Sequence, residues 1–238
     1  MRVIAIEEHF ITPMYREKVS ANEFRNFYLT SRSEQLGHDI SQQNADLGEE
    51  RIRHMDATGV DVQVLSFGSP GTQGFGADVA IPMARDANEK LYGMMNKYPG
   101  RFEGFAALPT ADPEASAREL ERCVKELGFK GTMIHGHTQG SFLDEKKYWC
   151  IFETAERLDV PIYLHPTYPH PDAIKAYFTG YEDLARAAWG FAIDTSCHFL
   201  RILFSGAFDA YPKLQFILGH LGEGLPFAMR TKIGRAHV

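Results

Sequence analysis

Glu7, Glu8 and His9 stand together where the first apolar run, Val3 to Ile6, ends. Side chains alternate along a strand, so Glu7 and His9 share one face and Glu8 takes the other. A carboxylate and an imidazole two residues apart can share a hard or borderline cation. A Glu-x-His triplet also arises by chance, so this spacing does not decide the matter alone. Two further histidines add to it. His165 closes the run Pro161-Ile162-Tyr163-Leu164, and His220 follows Leu214 to Leu218 through Gly219. Three separate apolar runs therefore carry a histidine at their C-terminal ends. In a parallel barrel those ends form the rim where active sites are built. One such histidine would more often be structural, satisfied by a loop carbonyl. Three on one rim, with Glu7, point to a shared metal and proton-transfer site.

The elements that must position these residues follow from an alternation of short apolar runs and longer helix-period segments. Strands are expected at Val3 to Ile6, Val60 to Phe67, Phe102 to Leu108, Phe129 to Ile134, Pro161 to Leu164 and Leu214 to Leu218. Helices are expected over Ala45 to Ala57, Ile81 to Tyr98, Lys146 to Leu158 and, in two pieces, Glu182 to Asp209. A further helix starts with Asp112 as N-cap and Pro113 in the first turn and closes at Gly128. The stretch from about Pro13 to Gln43 reads as a long loop with helical turns, of the functional kind common in barrels. The β-α-β-α order implies an α/β fold with a parallel sheet and helices outside it. Val62 to Leu65 and Leu214 to Leu218 are nearly continuously apolar, as strands covered on both faces should be. A doubly wound open sheet is disfavoured because no glycine-rich phosphate loop follows the first strand. The expected architecture is a (β/α)8 TIM barrel of which about six βα units are present.

Composition sets the outer bounds. The chain has 238 residues, 44% of them hydrophobic, with a net charge of −6, ordinary values for one globular domain. Charges of both signs are mixed along the chain, so neither nucleic acid nor a membrane surface is an expected partner. No apolar run is long enough to span a bilayer. The N-terminus lacks the pattern of a secretory signal. Cys123, Cys150 and Cys197 have no close spacing, so reduced thiols and a cytoplasmic location are expected.

The motifs Glu7-Glu8-His9-Phe10, Leu164-His165-Pro166 and Gly219-His220-Leu221-Gly222-Glu223 together resemble the amidohydrolase superfamily. They are most similar to its decarboxylase branch, which holds the γ-resorcylate, aminocarboxymuconate-semialdehyde and carboxyvanillate decarboxylases. The resemblance runs from Met1 to about Met229. It implies that Glu7, His9 and His165 ligate one divalent ion, Zn2+ or Mn2+, and that Glu8 does not. It implies that His220 sits beside the metal, touching substrate or a proton in transit, and that Glu223 holds and polarises His220. From position alone, Glu223 could equally be a helix N-terminal acid.

The reaction implied is non-oxidative decarboxylation of a hydroxylated aromatic acid such as a dihydroxybenzoate, by an enzyme that is a homo-oligomer at full length. An acid protonates the ring carbon that bears the carboxylate, and carbon dioxide departs. The resemblance expects that acid to be an Asp after an eighth strand, with His220 assisting; only six strands are counted, so it is absent here. The alternative is metal-dependent hydrolysis of an ester, lactone or amide. Against it, such hydrolases commonly open with His-x-His and carry a lysine on the fourth strand. Here Thr132 and His135 occupy that strand, and Lys130 lies at its beginning. A third reading is an inactive barrel fragment.

Other residues are weighed and set aside. His135 and His137 form a His-x-His pair, expected near the substrate rather than on the metal. His198 is expected to pack within a helix, His170 to lie in a loop, and Cys197 to be a buried thiol. Phe24, Phe27 and Tyr28 could line an aromatic pocket or staple their loop down. Arg230 lies near the place of a family arginine and is not assigned. Ile233 to Val238 match a translation of common sequencing-adapter DNA. They are expected to be an artefact, His237 included, which leaves residues 1–232 as the barrel domain.

Overall fold

The computed structural model describes residues 1–20 and 40–227. Phe24, Phe27, Tyr28, Arg230, His237 and the whole of 233–238 lie outside the described residues. The elements run β1 (Ile4–Phe10), α1 (Pro13–Ser20), α2 (Ile40–Ala45), α3 (Glu49–Thr58), β2 (Val62–Phe67), α4 (Ala77–Lys97), β3 (Phe102–Gly104), α5 (Pro113–Lys125), β4 (Thr132–His135), α6 (Trp149–Leu158), β5 (Ile162–His165), α7 (Pro171–Tyr177), α8 (Gly190–Phe204), α9 (Ala207–Ala210) and β6 (Phe216–Leu218).

The six strands among the described residues are parallel and pair in chain order. β1, β2 and β3 form one sheet and β4, β5 and β6 a second, and a parallel bridge from Ala106 to Thr132 joins the two. The result is an arc of a (β/α) barrel. Period-two alternation divides its side chains. Val64, Phe105, Met133, Tyr163 and Ile217 form a small interior cluster. Their neighbours Leu65, Ile134 and Leu164 join the larger core between strands and helices. Two residues past Val64, Met133 and Tyr163 on the same face come Ser66, His135 and His165, so the interior turns from apolar to polar at the strand tips.

Local signals place several elements. The Asp112 carboxylate caps α5 by accepting from the Ala115 N–H at 2.9 Å, and Pro113 opens the helix. Gly59 ends α3 at φ 73°, a left-handed conformation that costs a glycine nothing.

Four expectations need correction. β1 does not stop at Ile6 but runs to Phe10, because Glu8, His9 and Phe10 pair with Leu65, Ser66 and Phe67. Charged residues read as loop, yet here they are the strand's own tip. Among the described residues the expected loop from Pro13 holds helix α1 and the start of α2, and α1 is pinned by Tyr15 and Val19, each 1% exposed. Cys197 is exposed, because the helical period of α8 buries Asp194, Thr195 and His198 and turns Cys197 outward. The region from Glu182 to Asp209 also breaks into more pieces than two: a 3-10 turn at Glu182–Ala185, then α8 and α9. Among the described residues β1 pairs only with β2, and β6 only with β5.

Candidate metal centre

Glu7 and His9 reach the centre from β1, His165 from β5, and His220 from the turn after β6. The register of β1 on β2 slips between Ala5 and Glu8, an irregularity of the kind that re-aims side chains next to active sites. The Glu7 carboxylate lies at the middle. Its Oε1 is 3.3 Å from His165 Nε2 and 3.0 Å from His220 Nε2. Its Oε2 accepts from the Tyr163 hydroxyl and from the His220 backbone N–H. His9 joins through His165, with the two Nε2 atoms 3.2 Å apart. One ligand atom each from Glu7, His165 and His220 lie within 4.8 Å of one another. The tight cluster is therefore Glu7, His165 and His220, with His9 attached through His165 and Tyr163 through Glu7. Alternation could have found Tyr163, which sits two residues before His165 on the same face.

Hydrogen-bond partners fix which nitrogens are bare. The Ser66 hydroxyl donates to the Glu8 carbonyl at 3.2 Å, so its oxygen accepts from His9 Nδ1–H at 2.9 Å. His9 Nε2 is then a free lone pair. His165 Nδ1 lies 2.6 Å from the Pro166 carbonyl, which can only accept, so His165 Nε2 is bare as well. Two bare nitrogens and a carboxylate oxygen thus face one another at 3.2 and 3.3 Å. Such atoms repel unless a positive charge lies among them. Two imidazoles and one carboxylate could hold Zn2+ or Mn2+.

The electrostatics divide the histidines. Burial drives the His9 pKa down to about 3, and a proton on His165 would add to the effect; His9 is thereby kept neutral, as a ligand must be. His220 moves the other way, raised chiefly by its contact with Glu7 and also by Glu223, whose Oε1 is 2.8 Å from His220 Nδ1. Burial pushes Glu7 up, but hydrogen bonds from His165, when a proton takes the cation's place on its Nε2, and from His220 and Tyr163 outweigh it and hold the carboxyl far below the usual range. Burial raises Glu8, with Arg51 opposing. Glu8 lies off the centre, on the Arg51 side of β1.

His220 and Glu223 meet through an unusual backbone. His220, Leu221 and Glu223 have φ of 49°, 57° and 52°, the left-handed region that non-glycine residues rarely enter. Strain of that kind persists only where the surroundings impose it, and it clusters at functional sites. The Glu223 carboxylate is turned onto His220.

Beside this centre lies a cavity of about 540 Å3 whose lining includes Tyr15, Pro70, His135, Thr167, Tyr168 and Phe191. Two of its walls touch the centre. The ring centroids of Phe191 and His220 are 6.0 Å apart, and those of His135 and His165 are 4.7 Å apart. Lys130, at the foot of β4, pairs with Glu103 at 3.4 Å, far from this role.

A model of the amidohydrolase family matches residues 9–236. The chain belongs to the amidohydrolase family. It is 45% identical to gamma-resorcylate decarboxylase of Polaromonas sp. strain JS666 over 191 residues, which cover 77% of this chain and 58% of that protein. It is 38% identical to gamma-resorcylate decarboxylase of Rhizobium radiobacter over 233 residues, 95% of this chain and 68% of that one. A solved structure of dihydroxybenzoic acid decarboxylase from Polaromonas sp. JS666 holds manganese and the inhibitor 2-nitroresorcinol. It matches with a TM-score of 0.85 at 39% identity, over 96% of this chain and 68% of that chain. This amidohydrolase therefore spans about three fifths to two thirds of the length of the curated relatives it matches.

Proposed function

We propose that this amidohydrolase acts as a metal-dependent, non-oxidative decarboxylase of a hydroxylated aromatic acid of the dihydroxybenzoate class. The observation that carries the reading is that the His165 nitrogen meets both the Glu7 carboxylate and the bare His9 nitrogen, beside an aromatic-walled cavity. The names of the relatives support the reaction, and the manganese of the solved relative supports Mn2+, with Zn2+ equally suited to the donors.

Glu7, His9 and His165 would hold the ion. When bound, it supplies the positive charge that anchors the acid's carboxylate and adjacent phenolic oxygen. Tyr15 and Phe191 would flank the aromatic ring. Glu223 keeps a proton on His220 Nδ1, and the Nε2 nitrogen is left to hold or pass a proton at the centre. A proton added to the carbon bearing the carboxylate replaces carbon dioxide as it leaves, and aromaticity is restored. The acid expected after an eighth strand has no counterpart among the described residues, where no strand follows β6.

Homo-oligomer formation and a cytoplasmic site of action belong to the same proposal. Ile4 and Ile6, 50% and 45% exposed on β1, offer apolar surface to a second copy. The three cysteines are unpaired, which supports a reducing compartment. Among the described residues no helix is long and apolar enough to cross a membrane.

The test is incubation with Mn2+ and 2,6-dihydroxybenzoate, followed by carbon dioxide release and resorcinol formation, alongside a panel of esters and lactones. Carbon dioxide release that stops with a chelator is the expected result. Chelator-sensitive hydrolysis without carbon dioxide would instead make it a hydrolase, and no turnover of either kind would make it an inactive fragment.

A further inference from the structure

His135 takes no part in the reaction proposed above, yet it is 2% exposed and touches three elements of the site. It sits at the tip of β4, in register with His165 on β5. Its Nε2 lies 2.7 Å from the Phe67 carbonyl at the end of β2, and its Nδ1 lies 3.1 Å from His165 Nδ1. Its backbone N–H is 3.4 Å from Gln73 Oε1. The loop after β2 is shaped to admit the ring. A Cβ on Gly71, whose φ is +64°, would stand 2.8 Å from His135 Cδ2.

These partners determine where the hydrogens are. A carbonyl oxygen only accepts, so His135 Nε2 carries a hydrogen for Phe67 and His165 Nδ1 carries one for Pro166. Two N–H groups cannot face each other at hydrogen-bond distance. His135 Nδ1 is therefore the bare acceptor, and the His165 Nδ1–H is shared between it and the Pro166 carbonyl. The Pro166 carbonyl belongs to the adjacent residue and moves with the His165 backbone. It sets the tautomer but does not tie the ring to the barrel wall. His135 comes from a different strand and is itself bound to a third.

We propose that His135 is a positioning residue for the metal centre, a β2-to-β4-to-β5 relay that holds the His165 ring with its bare Nε2 aimed at Glu7 and His9. The inference rests on the reading of His165 as a ligand. Outer partners of this kind orient ligands, and their loss costs about 10- to 100-fold in metal affinity.

Two measurements test it. The first is Mn2+ titration calorimetry on the chain and on three variants. His135→Asn keeps an acceptor oxygen near the Nδ1 position and is expected to bind within about 3-fold of the unaltered chain, well short of the loss of an orienting partner. His135→Gln keeps a donor toward Phe67 but presents no acceptor to His165, and His135→Phe has neither. Both are expected to lose at least about 10-fold. Wild-type affinity in folded His135→Gln and His135→Phe would overturn the proposal, as would an equal loss in folded His135→Asn.

The second measurement is long-range proton–nitrogen NMR of the histidine rings in the unaltered, metal-free chain. It is expected to show His135 protonated at Nε2 and His165 at Nδ1. A hydrogen on His135 Nδ1 would overturn the proposal even if every variant failed to fold. If the unaltered chain bound no Mn2+, the ligand reading would fall, and the NMR would still decide what His135 does.

Discussion

His9, His165 and His220 surround a carboxylate, whereas His137, His170 and His198 do not. The second group lies in and under the loops after β4 and β5. Its rings are linked by contact, with His137 and His170 centroids 5.6 Å apart and Phe142 touching both His137 and His198. Each of these rings is committed to a main-chain N–H. His137 Nδ1 accepts from Gly140, His170 Nδ1 from Asp172, and His198 Nε2 from Leu143, at 3.0, 3.2 and 2.9 Å. The first group instead turns its Nε2 atoms on one another and on Glu7, His9 meeting His165 and both His165 and His220 meeting the carboxylate. Histidine count does not separate the two. What separates them is the direction in which the ring nitrogens point and the half-buried Glu7 carboxylate that His165 and His220 reach.

The comparison breaks first at Glu7. Glu7→Gln should abolish Mn2+ binding measurable by calorimetry at millimolar metal, because the amide removes the charge that unites the first group. Retained binding would mean that the first group is no more a metal site than the second.

Asp194 gives the next largest effect, and it belongs to the second group's helix, one turn before His198. It is 3% exposed, its Oδ2 has no partner, and burial alone raises its pKa from 3.8 to about 7. A carboxyl raised on folding contributes stability fully below its unfolded pKa and loses it as pH climbs toward the folded value. Denaturation midpoints should therefore fall between about pH 4 and 7, a swing of up to about 4 kcal/mol. Asp194→Asn should flatten that slope. An unchanged slope would show that Asp194 ionises freely in the fold.

Smaller effects sharpen the contrast. His198→Leu strands the buried Leu143 N–H and should cost about 1–3 kcal/mol in urea titration, with Mn2+ affinity unchanged. A large loss of affinity would merge the two groups. His170→Ala removes the capping acceptor of α7, whose flanks are exposed, and should cost about 1 kcal/mol or less. A thermal shift much beyond that would show that the loop over the rim depends on this ring.

Much of the site was legible because strand geometry is local. Alternation put Glu7 with His9 and set Glu8 apart, and the repeated histidine at strand ends marked the rim. The capping of α5 was equally plain from Asp112 and Pro113. The failures share a cause. The local pattern ends β1 at Ile6, because the pairing that carries the strand on through Glu8, His9 and Phe10 is supplied by β2, more than fifty residues on. The stretch that holds α1 reads as a long loop with helical turns, because the anchor of α1, Tyr15, packs against Phe67, a contact no local pattern announces. Cys197 was expected inside, and only the orientation of α8 turned it outward.

From sequence alone came the α/β alternation, the parallel strands and the residue types at their tips, since propensity and period act over a few neighbours. Tertiary structure alone decided which nitrogens are bare. Ser66 stands opposite His9, the Phe67 carbonyl beneath His135, and Glu223 against His220, and each partner comes from another strand or from a strained turn. A lone pair has a direction only when its partner's position is fixed. Chain positions as distant as Glu7 and His220 acquire that fixed geometry only when the strand tips meet.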